Sequence, residues 1–183
     1  GPQAGRPTRT DGLGPPANAG RGRNRARRSV PMRVVVAAVG RCKAGPEKAL
    51  FEHYARRITF PFELKEVEEK RPLKLPKLLR REAELLLAQV PDGAKLLALD
   101  RSGREMSSEA LAEALGTWRD DGVRDVVFAV GGADGLDPVV RERADHVVSL
   151  GAMTWPHLLV RGMLAEQIYR AQCILAGHPY HRA

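Results

Sequence analysis

Arg33–Val39 reads R-V-V-V-A-A-V and stops at Gly40, a continuous β-branched and apolar run with no polar alternation. A strand with one wet face alternates; a strand apolar at every position is covered on both faces, which requires a mostly parallel sheet with helices on either side. The rest of the chain keeps to that requirement. Pro46 to Arg57 carries helix signals: proline at the start, Glu47 in the first turn, Arg56 and Arg57 near the end. Phe62 to Val67 reads as a second strand and residues 68 to 76 as a charged, proline-containing loop. Lys77 to Gln89 reads as helix from the spacing of Leu78, Leu79, Leu85 and Leu86. Then come a strand Lys95 to Asp100, a helix opened by Ser107 and running to about Asp120, and a buried strand Asp125 to Val130. A short helix from Val139 to about Arg143, a strand His146 to Leu150 and a long helix His157 to Ala176 complete the alternation. The expected fold is α/β, a parallel sheet covered by helices, with no internal repeat.

Charge divides the chain into two parts. Residues 1–31 hold seven Arg against Asp11 alone, six of the eight charges in the formal net +8, and little that can be buried. Ordering a backbone costs about 1 to 2 kcal/mol per residue, so this stretch is expected to be a disordered basic tail. It suits nucleic-acid phosphates or an organelle transit segment. An upstream-translation or cloning artefact is the plainer reading, because Met32 stands directly before the first strand. Residues 32–183, nearly balanced in charge, are expected to form a single domain, since a chain of that length buries about 70% of its unfolded surface. No segment approaches the roughly 18 to 20 apolar residues of a membrane helix, and no apolar stretch resembling a secretory signal follows the N-terminus. Cys42 and Cys173 cannot build a disulfide framework. A cytoplasmic location without membrane attachment is the expectation.

In open α/β sheets ligands bind beyond the carboxyl ends of the strands. Three places qualify: Leu99-Asp100, Gly131 to Gly135, and Leu150 to Pro156. The cluster G-G-A-D-G is neither a dinucleotide fingerprint nor a phosphate loop with its Lys and Ser/Thr. Its glycines would let bare backbone approach a ligand, or would simply make a tight turn. On the last helix Val160, Leu164, Ile168, Ala171 and Leu175 form an apolar stripe for the sheet or for another subunit. His157, Arg161 and Tyr169 fall on a second stripe, and Glu166 with Arg170 makes an i,i+4 pair. After Gly177, a helix stop, His178-Pro179-Tyr180-His181-Arg182 is suited to stacking on an unpaired base and holding its phosphate. A metal site is the weaker rival there, because no carboxylate lies near these His residues in sequence.

From Met32 onward the chain resembles the ribosomal RNA large subunit methyltransferase H family, a minimal branch of the SPOUT methyltransferases. The resemblance rests on V-A-A-V-G at Val36 to Gly40, A-L-D ending at Asp100, V-G-G-A-D-G-L at Val130 to Leu136, and M-T-W-P-H at Met153 to His157. Arg161, E-Q-I-Y-R-A at Glu166 to Ala171 and the terminal P-Y-H-R extend it in the same order. It implies a SPOUT-type sheet with a C-terminal trefoil knot, and methyl transfer from S-adenosylmethionine to N3 of a pseudouridine in the 23S rRNA stem-loop at the subunit interface. It also implies a homodimer working on the assembled ribosome, with the apolar stripe of the last helix as candidate interface. Leu99, Gly131 and the loop Leu150, Gly151, Ala152, Met153, Thr154 and Trp155 match the donor-binding positions. For the proton on the imide nitrogen the candidates are His157 and His181, with Glu166 behind them. Arg161, Tyr169, Arg170, Tyr180 and Arg182 are the candidate RNA contacts. No metal is expected. The sequence departs from the pattern at Gly151, where a serine is expected, and in the tail.

The competing reading is a non-catalytic RNA- or ribosome-binding protein on the same fold. A hydrolase or nucleotide-binding enzyme at G-G-A-D-G lacks a convincing nucleophile–base pair.

Overall fold

The computed structural model describes residues 30–182, so the expected tail, except for its last two positions, lies outside the described residues. Strands β1 (Arg33–Val39), β2 (Phe62–Val67), β3 (Lys95–Glu105), β4 (Asp125–Val130) and β5 (His146–Ser149) alternate with helices. The helices are α1 (Pro46–Ala55), α2 (Lys77–Leu87), α3 (Ser108–Asp120), α4 (Pro138–Arg143) and α5 (His157–Ala176). The five strands form one sheet in the order β2-β1-β4-β3-β5, and every pairing is parallel.

Successive side chains of a strand point to opposite faces, which splits the apolar run of β1 in two. Val34, Val36 and Ala38 meet Leu111, Leu115 and Trp118 of α3 and Leu164, Ile168 and Ala171 of α5. Val35, Ala37 and Val39 meet Ala83 and Leu86 of α2 and Val140 of α4. Both faces are therefore dry, as the sequence required. Three helix ends obey local chemistry. The Ser107 hydroxyl accepts from the Ala110 amide at 3.0 Å, Asp137 caps α4, and Gly177 ends α5 at φ 69°. No helix among the described residues is long and apolar enough to cross a membrane.

Two expectations need correction. β3 does not stop at Asp100. Leu99 and Arg104 both lie opposite Val148, so residues between them loop out and the strand resumes to Glu105. The polar D-R-S-G-R sequence carries no strand pattern; what permits the return is Gly103, where a Cβ would lie 2.6 Å from the Val147 carbonyl. Of the two readings of the apolar stripe of α5, packing on the sheet holds and a free subunit interface does not. Leu164, Ile168 and Ala171 are already buried in this chain's own core, with Val160 and Leu175 packed against it.

Candidate active site

β2 lies to one side of β1, while β4, β3 and β5 lie to the other. The carboxyl ends of β4, β3 and β5 thus open beside the point where the chain order reverses, the place where such sheets bind ligands. A cleft of about 980 Å³ occupies it. Leu99, Gly131, Leu150, Gly151, Ala152, Met153, Thr154 and Trp155, the eight expected donor positions, all line this one cleft, and so does His157.

Four glycines, Gly131, Gly132, Gly135 and Gly151, line the cleft, and two of them are there for local reasons. Gly131 follows β4 with no room for a side chain: a Cβ there would lie 2.5 Å from the Gly135 carbonyl oxygen. Gly151 sits at φ +112°, a region that L residues avoid, which accounts for glycine where serine was expected. The Ser149 hydroxyl holds this turn by accepting from the Gly151 amide at 3.1 Å and donating to its carbonyl at 3.0 Å. The Trp155 indole donates to the Leu150 carbonyl at 3.3 Å, and Arg101 donates to the Thr154 hydroxyl at 2.8 Å. The loop after β5 is thereby tied to the loop that leaves β3.

Asp100, Asp134 and Pro156, which fall within the three strand-end places read from the sequence, also face the cleft; Arg101 and Ser102 line it too, and sequence reasoning missed those two. The Ser102 amide and hydroxyl both donate to Asp100, and Arg141 of α4 lies 3.4 Å from its other oxygen. Burial pushes the Asp100 carboxyl up, but Ser102 and Arg141 outweigh it and hold the group below its ordinary range. The signal was available in the polar D-R-S directly after an apolar strand.

The remaining candidates collect elsewhere, along the second half of α5. Glu166 accepts from Arg170 at 2.6 and 3.0 Å, from the Tyr180 hydroxyl at 3.0 Å and from Gln167 at 3.0 Å. Arg170 also stacks over the Tyr180 ring at 4.9 Å, and Tyr169 meets that ring edge-on at 4.7 Å. Burial and the Glu166 carboxylate push the Tyr180 phenol well above its ordinary value, so it remains protonated and donates. His181 lies between Arg170, 3.1 Å from Nδ1, and Glu109, 2.7 Å from Nε2. An arginine can only donate, so Nδ1 accepts and Nε2 carries a proton toward Glu109. The hydrogen bond from His181 lowers the Glu109 carboxyl.

Three placements alter the expected roles. Arg161 is 1% exposed and donates to the carbonyls of Val39 and Gly40 at 3.0 and 2.7 Å and to Glu66 at 2.7 Å. It pins the ends of β1 and β2 to α5 and is not available to an RNA phosphate. His181 and Glu166 have their acceptor capacity engaged, whereas His157 lines the cleft with no hydrogen-bond partner among the described residues. Arg182 is exposed at the end of the described chain. A second hollow of about 600 Å³, bordered by Glu166, Gln167 and Tyr54, meets the cleft at Leu99, Val148, Leu150 and Gly151.

A parallel sheet with glycines at its carboxyl edge is consistent with the methyl-donor site that the sequence resemblance implies. Residues 32–181 match the family model described as "Predicted SPOUT methyltransferase", and the chain belongs to that family of methyltransferases. Within it, the chain is 60% identical over 151 residues to the ribosomal RNA large subunit methyltransferase H of Paramagnetospirillum magneticum, across 82% of this chain and 99% of that protein. Proteins of the same name from Rhodospirillum centenum and Rhodospirillum rubrum are 59% and 54% identical over 152 residues, across 83% of this chain and the whole of each relative.

Proposed function

We propose that this protein transfers the methyl group of S-adenosylmethionine to N3 of a pseudouridine in 23S rRNA, acting in the cytoplasm as a homodimer on the assembled ribosome. The observation that carries the reading is the convergence of all eight expected donor positions on one cleft. The names borne by relatives at 54 to 60% identity support the rRNA substrate. The domain reading goes with it: residues 32–183 form the enzyme and residues 1–31 are an appendage. So does the trefoil knot, which the family resemblance supports.

The residues present suit such a donor. The cleft lies at the upper end of the volumes that enclose small ligands, and Gly151, with nothing within 4 Å of where a Cβ would stand, leaves room for one to approach. Bound there, S-adenosylmethionine supplies a methyl carbon on a positively charged sulphur, so an aligned nitrogen nucleophile needs mainly orientation. Leu99, Leu150 and Gly151 belong to both hollows, so a base seated in the second one would face the cleft across them. His157, with an uncommitted imidazole in the cleft, accepts the imide proton. Tyr169, Arg170, Tyr180 and Arg182 hold the nucleotide and its phosphate, and the Glu166 carboxylate fixes the directions of Arg170 and Tyr180.

Incubating the protein with methyl-labelled donor and ribosomes, then mapping the label by nuclease digestion, tests the reading. Label on N3 of one 23S pseudouridine is the expected result. Donor and RNA binding with no transfer would leave the non-catalytic binder as the surviving account.

A further inference from the structure

Between β2 and the second turn of α2 the chain is strongly basic: residues 68–81 hold six Lys and Arg against Glu68 and Glu69. The acidic side of that balance is largely spent. Glu69 is nearly buried and clamped by Arg71 and Arg81, each with Nε at 2.9 Å, and these arginines draw its carboxyl down to about 2. Lys70, Lys74, Lys77 and Arg80 are all exposed, and none forms an ion pair with a described residue. Lys77 and Arg80 stand three apart on α2, which makes them neighbours on the helix surface. The Leu78 amide donates to the Lys74 carbonyl at 3.0 Å and the Arg80 amide to the Pro76 carbonyl at 3.1 Å, so Lys74 is carried on the same turn.

This basic segment, residues 68–81, lies at the cleft end of the molecule. It leaves the carboxyl end of β2, and one turn into α2 the Glu82 carboxylate faces Gly132, which lines the cleft. Burial raises the Glu82 carboxyl, with nearby Asp134 adding to the shift. The Glu69 clamp ties the loop at Arg71 to α2 at Arg81, so the backbone that carries the free basic groups is fixed before any partner arrives and less ordering cost falls on binding.

We propose that Lys70, Lys74, Lys77 and Arg80 form a rail for the RNA phosphate backbone beside the donor cleft, a docking surface separate from the cluster on α5. The inference rests on the rRNA reading above and extends it to a second surface. Phosphate contacts fix register without reading sequence, and each one on a single strand contributes about 0.7 to the salt slope of binding.

The test uses the full chain with Lys74→Gln, Lys77→Gln and Arg80→Gln combined, alongside a control with Arg119→Gln, Arg124→Gln and Arg143→Gln. The control removes equal charge from the opposite end of the sheet. Donor titration and thermal melting should match wild type in both. In the rail variant KM for ribosomes should rise on the order of tenfold with kcat within about twofold, and the salt slope for a protein-free 23S stem-loop should fall by about 2. The control should do neither. Equal KM and slope in the two triples would overturn the rail while wild-type transfer upheld the enzyme. A loss on ribosomes with the naked stem-loop unaffected would also overturn it, by pointing to a ribosomal protein instead. Absence of transfer and of RNA binding in wild type would remove the enzyme reading itself.

Discussion

Arg161 shows how far a residue's role depends on its surroundings. In sequence it is a cation on a stripe with His157; in the fold it is a buried clamp whose Nε has no partner among the described residues. Its ion-pair partner Glu66 is pushed up by burial, but the Cys42 amide and the Arg161 guanidinium outweigh that and hold it below the ordinary range. A carboxyl lowered by folding stabilises above its unfolded pKa and loses that contribution as the pH falls through the folded value. Glu66→Gln should therefore cost about 2 kcal/mol at pH 7, the scale of a charged hydrogen bond. The gap from wild type should close as the pH is lowered below 4.5, which urea unfolding at a series of pH values would measure. At Gly131 even a methyl group collides with the Gly135 carbonyl. Gly131→Ala should lower affinity for S-adenosylmethionine more than tenfold in calorimetric titration, with far-UV circular dichroism unchanged.

At the scale of elements, α5 organises the site, because its core face, its first turn and its second half each hold a different part. It reaches its neighbours through missing side chains: a Cβ on Gly162 would lie 2.8 Å from Leu50 of α1, and one on Gly116 of α3 would lie 2.8 Å from Leu175. Gly162→Ala should cost about 2 kcal/mol, the typical penalty for overpacking a tight contact. Since it would push α1 away from α5 beside the second hollow, it should also raise KM for RNA more than it changes donor affinity, a split that steady-state kinetics would reveal. β3 makes the complementary point. Its bounds could not be read past Asp100, because the segment to Glu105 is strand only by virtue of β5 lying against it, with Gly103 permitting the approach.

For the whole molecule the basic tail and the enzyme are separable in this account. Met32 is buried at the start of the described core while Val30 is exposed, so deleting residues 1–31 should leave melting temperature, donor binding and transfer to ribosomes intact. It should flatten only the salt dependence of non-specific RNA binding, measured by filter retention across a salt series. The α/β class and the alternation of elements could be read from residue order, with helix α5 predicted over its observed span. So could the strand ends that meet at the cleft, since hydrophobic periodicity and residues following strands are properties of neighbours along the chain; the individual donor positions came through the family resemblance. The sequence alone also assigned the family, through short motifs in a set order. Strand order, the return of β3, which of its two partners the α5 stripe takes and the burial of Arg161 were not legible, nor was the engagement of His181 and Glu166. Each depends on which distant segments meet, such as Glu66 with Arg161 or Glu109 with His181. Packing decides those meetings, because a side chain's partners are set by the whole core that brings them within reach and not by its own type.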